Sequence, residues 1–126
     1  MPLVRIGLKA GKSPQYRKAV ADSVHRALVE TINIPEKDRF QIISEHAPAD
    51  LIYDRSYLDI SRSDDTILVQ ITLSTGRSVE IKKALYARMA ELLAASPGLR
   101  KEDLFVSLLE VAKENWSFGN GIAQYA

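Results

Sequence analysis

The chain has 126 residues, enough for one domain with a modest core, and its 17 Lys and Arg against 16 Asp and Glu leave a net charge of +1. No block of like charges suggests nucleic acid as a partner, the absence of cysteine removes disulfide and thiolate chemistry, and the two histidines, His25 and His46, lack metal-ligand spacing. No apolar run approaches the roughly 18 residues of a membrane span, and no basic segment precedes an apolar one at the start, so a cytoplasmic protein with no membrane partner is expected.

The chain opens Met1-Pro2-Leu3-Val4-Arg5-Ile6. A small second residue favours removal of the initiator methionine, so the mature chain is expected to start at Pro2 with a free secondary amine. An internal proline has no N–H and nothing to titrate; a terminal one can hold a proton, release it or attack a carbonyl. Leu3, Val4, Ile6 and Leu8 read as a strand, and a terminus tied into a sheet is held in place. An ordinary α-amino group titrates at about 8. Apolar surroundings or nearby cations lower that value and a carboxylate raises it, so such an amine can act as base or acid. Met-Pro is also an ordinary start in proteins that make no chemical use of it.

Ala10-Gly11-Lys12 ends the strand, and Ser13-Pro14 marks a helix start, with Ser as N-cap and Pro at the first helical position. Val20, Val24, Ala27, Leu28 and Thr31 recur at helical spacing until Asn33-Ile34-Pro35 stops the helix. The turn Pro35-Glu36-Lys37-Asp38 leads to a second strand, Arg39 to Glu45, completing a β-α-β unit over 2–45.

That unit recurs. A shift of 65 positions without a gap aligns twelve identities within 2–45, among them Leu3 with Leu68, Ile6 with Ile71, Gly11 with Gly76, Ser13 with Ser78, Asp38 with Asp103, Phe40 with Phe105 and Glu45 with Glu110. The second unit, 67–110, then has a strand over 67–74, a helix from Ser78 to about Ala94, a break at Ser96-Pro97-Gly98 and a strand over 104–110. Helix-linked parallel strands cross over right-handedly. The fold class is therefore α+β: two consecutive β-α-β units forming a four-stranded mixed sheet with two helices on one face, in a single domain. The uncovered face is expected to carry Leu3, Val106 and Leu108 among Arg5, Gln70 and Thr72, and to be covered by partner subunits in a homo-oligomer. Between the units, 46–66 reads as a connector hairpin with short strands at Leu51–Tyr53 and Tyr57–Ile60; after Glu110 comes a C-terminal tail, 111–126.

Several residues could carry chemistry. Thr75-Gly76-Arg77-Ser78 puts a guanidinium at the start of the second helix, where free N–H groups favour an anion. Arg77 is thus a candidate carboxylate clamp or a solvated residue beside an N-cap, and Lys12 holds the equivalent place in the first unit. Asp38 could hold a proton for a terminal amine, or it and its repeat mate Asp103 could both cap turns. Trp116, Phe118 and Tyr125 could wall a pocket or pack on a neighbouring subunit. His25 reads as a partly buried surface histidine.

Pro2 opening a strand, the doubled unit, the segment Pro35-Glu36-Lys37-Asp38-Arg39-Phe40-Gln41-Ile42 and the tail Glu114-Asn115-Trp116-Ser117-Phe118-Gly119-Asn120-Gly121 resemble the tautomerase superfamily, and within it the malonate semialdehyde decarboxylase group. The resemblance implies a 4-oxalocrotonate tautomerase-like fold, a homotrimer, and an amino-terminal proline at the floor of a pocket between subunits. It implies catalytic roles for Pro2, Asp38 and Arg77 and substrate-binding roles for Arg77, Thr75, Trp116, Phe118 and Tyr125. Thr75 departs from the pattern, because the decarboxylases carry an arginine there. The expected function is keto–enol tautomerisation of small 2-oxo acids of the phenylenolpyruvate kind, with neither cofactor nor metal. Decarboxylation or hydration of malonate semialdehyde by a cationic proline, and a non-catalytic ligand-binding trimer, are the alternatives.

Overall fold

The computed structural model describes residues 1–126. In chain order it comprises β1 (Leu3–Lys9), α1 (Pro14–Ile32), β2 (Phe40–His46), β3 (Ile67–Ser74), α2 (Val79–Ala95) and β4 (Leu104–Val111). The expected start signals operate in both units: the Ser13 hydroxyl accepts from the Tyr16 amide at 3.1 Å and the Ser78 hydroxyl from the Ile81 amide at 3.2 Å. Asn33 closes α1 in the left-handed conformation, at φ 56°. Gly11 and Gly76 turn the chain ahead of each helix at φ 115° and 124°, a region that other residues rarely enter.

The strands form one sheet in the order β2-β1-β3-β4, with β1 parallel to β2, β3 parallel to β4, and the central pair β1/β3 antiparallel. Val4, Ile6 and Leu8 of β1 and Ile67, Val69, Ile71 and Leu73 of β3, none more than 2% exposed, pack beneath Val20, Val24 and Leu28 of α1 and Leu85, Met89 and Leu93 of α2. Both helices lie on this one face. Burying each of these large side chains stabilises the fold by about 1.5–3 kcal/mol.

Three expectations are corrected. Residues 46–66 form no hairpin. They hold two short 3₁₀ turns, Pro48–Asp50 and Tyr57–Asp59, because side chains satisfy the groups a hairpin would pair: the Arg62 guanidinium donates to the carbonyls of Asp54, Tyr57 and Ile60, and the Tyr53 hydroxyl to that of Ser63. On β4, Val106 and Leu108 face the helices, leaving Phe105 and Leu109 on the open face. Both sets of alternate residues in Leu104–Leu109 include large apolar side chains, so the period of two could not choose a face; pairing of Val106 with Val69 does so. His25 is buried, at 5% exposure.

Antiparallel pairing of β1 with β3 places the site. Leu3 lies opposite Thr72, so residues 1 and 2 run alongside the end of β3 and the turn that carries Arg77.

Candidate active site at the start of the first strand

Pro2 is buried, and the residue before it has its amino group 2.9 Å from Asp38 Oδ2, with both side chains under one-fifth exposed. Asp38 gets there through the turn that ends α1, where its amide donates to the Pro35 carbonyl at 3.0 Å. The Pro2 nitrogen lies three bonds from the Met1 amine, so removal of Met1 would leave the new terminus beside this carboxylate.

A cavity of about 420 Å³ opens here, lined by Met1, Ser74, Thr75, Arg77, Ile81 and Lys113, among others. The Arg77 Nη1 donates to the Ser74 carbonyl at 2.8 Å, which anchors the guanidinium at the end of β3 without neutralising it. Glu110, the nearby acid on β4, is taken up by Lys82 at 2.7 Å. That contact holds the Glu110 carboxyl below the ordinary range, with Arg77 a smaller contributor. A cation with no carboxylate partner at the mouth of a cavity is ready for an anionic ligand.

The sequence candidates fall into two groups. Thr75 and Arg77 line the same cavity as Met1. Trp116, Phe118 and Tyr125 instead gather on one another: Trp116 stacks on Phe118 with centroids 5.5 Å apart, and Tyr125 meets Phe118 edge-on at 5.2 Å. They adjoin the cavity without lining it. Trp116 Nε1 donates to the buried Ser74 hydroxyl at 3.1 Å, while Phe40, two residues after Asp38, packs against Phe118 at 5.9 Å. Gln124 bonds both the Phe118 amide and the Gly119 carbonyl at 2.9 Å, fastening the tail in this place.

Two residues escaped the sequence reading. Ser74 joins Arg77 to Trp116, and Lys113 brings a second cation to the cavity. Neither carries a local signal. Their positions follow from the β1/β3 register and from the path of the chain after β4.

The repeat mates have parted in role. Asp103 is 1% exposed and accepts from the Ser63 amide at 2.7 Å, the Ser63 hydroxyl at 2.6 Å and the Thr66 hydroxyl at 2.9 Å. Burial works to raise its pKa, but these bonds and the Arg100 charge outweigh burial and hold the carboxyl below the ordinary range. Lys12, the mate of Arg77, pairs with Asp65 at 2.6 Å, and that bond raises its pKa.

Two family models described as tautomerase enzyme match the chain, one over residues 38–119 and the other over residues 2–56. The probable tautomerase YusQ of Bacillus subtilis (strain 168) is 40% identical over 124 residues, covering 98% of each chain. The probable tautomerase YrdN of the same organism is 34% identical over 125 residues, covering 99% of this chain and 96% of its own. Among solved structures, FG41 malonate semialdehyde decarboxylase inhibited by 3-bromopropiolate matches with a TM-score of 0.93 at 41% identity, over 98% of this chain and 93% of that one. A fused 4-OT described as a symmetric trimer matches with a TM-score of 0.79 at 27% identity, over 98% and 97%.

Proposed function

The chain belongs to the tautomerase family of enzymes, and on that premise we propose that it is a cofactor-independent keto–enol tautomerase of small 2-oxo acids of the phenylenolpyruvate kind, with the amine of a trimmed Pro2 as proton carrier. The observation that carries this reading is the meeting of the amino end with Asp38, at 2.9 Å, beside a cavity that holds Arg77. In the proposed reaction the neutral Pro2 amine takes the enol hydroxyl proton as the C=O forms, then returns a proton to the neighbouring carbon, where a C–H bond replaces the C=C. Arg77 holds the substrate carboxylate, Lys113 adds a second cation, and Asp38 orients and balances the charged amine. Thr75, with no charge, bounds the pocket beside Arg77. Trp116, Phe118 and Tyr125, packed together beside the cavity, offer an aromatic surface to the ring end of a substrate that extends beyond it.

A second reading, decarboxylation or hydration of malonate semialdehyde, draws on the same Asp38 contact. A carboxylate beside an amine favours the cation, and a cationic Pro2 would stabilise the enolate left as carbon dioxide departs. The similarity to a malonate semialdehyde decarboxylase supports it. In either case the working unit is proposed to be a cytoplasmic homotrimer, supported by exposed Phe40, Ile42, Phe105 and Leu109 on the open face of the sheet and by the trimeric fused 4-OT.

The test combines intact mass, to establish loss of Met1, with assays of phenylenolpyruvate and malonate semialdehyde in parallel. Pro2→Ala is expected to lose at least about 10²-fold in kcat. A correctly trimmed and folded Pro2→Ala protein with full activity overturns the proposal.

A further inference from the structure

The turn that carries Asp38 is held by groups other than its own carboxylate. His25 of α1 has its Nε2 2.9 Å from the Glu36 carbonyl oxygen. A carbonyl oxygen can only accept, so Nε2 bears the proton. Around it, Arg26 pairs with the Glu36 carboxylate at 2.8 Å and Arg39 with Asp22 at 2.7 Å, so α1 grips both sides of the turn. The Asp38 carboxylate is left to face the amino end of the chain.

In the second unit none of this grip exists. Moving 65 positions along, His25 becomes Ala90, Asp22 becomes Ala87, Arg26 becomes Glu91, Glu36 becomes Lys101 and Arg39 becomes Leu104. There the carboxylate of Asp103 itself fastens the turn, through Ser63 and Thr66. The helix-borne grip thus occurs in the unit whose aspartate pairs with the amino end, and is missing from the unit whose aspartate fastens its own turn.

We propose that His25 is a positioning residue: its Nε2–H, by holding the Glu36 carbonyl, fixes the turn so that the Asp38 carboxylate meets the terminal amine. His25 does not line the cavity, so its proposed effect on the site runs through the turn that it holds. The inference rests on the reading that the Pro2 amine and Asp38 work as a pair.

The experiment measures the NMR titration of the ¹⁵N-labelled Pro2 amine, with kcat and KM on phenylenolpyruvate, for wild type, Asp38→Asn, His25→Phe and the double variant. His25→Phe is expected to lower kcat about tenfold with KM within about twofold, an effect of misplacement at a distance. It moves the amine midpoint in the same direction as Asp38→Asn, and in the double variant it adds nothing further. His25→Gln, whose amide N–H can reach the same carbonyl, restores kcat to within about threefold of wild type. If His25→Phe does not fold, His25→Asn takes its place, being polar but too short to reach Glu36. A lowered Tm with kcat and midpoint unmoved, or an effect additive to that of Asp38→Asn, overturns the role of His25. If Asp38→Asn moves the midpoint and the His25 variants do not, His25 fails while the functional reading stands. If Asp38→Asn itself leaves the midpoint unmoved, both fall.

Discussion

The two halves of this molecule repeat the same elements and use them differently. Each has a glycine turn, a serine cap, a basic residue ahead of the helix and an aspartate before its second parallel strand. Each even keeps one ion pair between helix and strand, Arg17 with Glu45 and Lys82 with Glu110. The second half's aspartate is sealed under the connector, whose Asp65 also neutralises the first half's lysine; the first half's aspartate faces the chain's amine, while the second half's arginine lines the adjoining cavity without a carboxylate partner. A carboxylate that satisfies three donors gives stability, and one that faces a single amine keeps its freedom to take part in proton transfer. Equivalent sequence positions therefore do not imply equivalent work.

The largest effect expected of this contrast is on turnover. Asp38→Asn should lower kcat/KM about 10²-fold while leaving Tm within about 3 °C, and Asp103→Asn should leave kcat/KM of the folded enzyme within about twofold. Equal losses from the two substitutions would remove the functional distinction between the halves. Next comes the basic pair. Arg77→Ala should raise KM for a 2-oxo acid by about 10- to 100-fold, the worth of a charged hydrogen bond, and Lys12→Ala by less than about twofold. Steady-state kinetics on both variants decides this.

Stability should show the reverse order. Asp103→Ala leaves buried donors without a partner and should cost about 2 kcal/mol, a fall in Tm of about 6–10 °C. The pH dependence has a definite sign. Because the folded-state pKa of Asp103 is lowered, its stabilisation is fully present above the unfolded value of about 3.9 and is lost as pH falls through the folded value. The gap in Tm between wild type and Asp103→Asn should therefore close below about pH 4 in a calorimetric series. At the tail a modest effect is expected. Trp116→Phe keeps the ring stack and removes the bond to Ser74, so KM should change by less than about tenfold.

Much of this architecture was legible because local chemistry dictates it. Ser13-Pro14, Gly76 and the alternation Val4-Ile6-Leu8 act within a few residues, and the 65-residue repeat carried those signals from one half to the other. The connector was misread because Arg62 and Tyr53 satisfy backbone groups from a distance, which no run of neighbouring residues reveals. His25 was placed nearer the surface than it lies, since its partner, the Glu36 carbonyl, is a backbone atom brought to it by the αL turn at Asn33.

By itself, the sequence determined the two helices and the four strands, their doubling and the candidate residues Pro2, Asp38 and Arg77, because capping, periodicity and repetition are written in side-chain order. Tertiary structure alone decided that β1 pairs antiparallel with β3, bringing the amino end beside Arg77 from 75 residues away in the chain, and that one aspartate is buried under donors while its twin is not. Register and burial depend on which strands meet, and that choice follows from packing of the whole core, to which each residue contributes only a part.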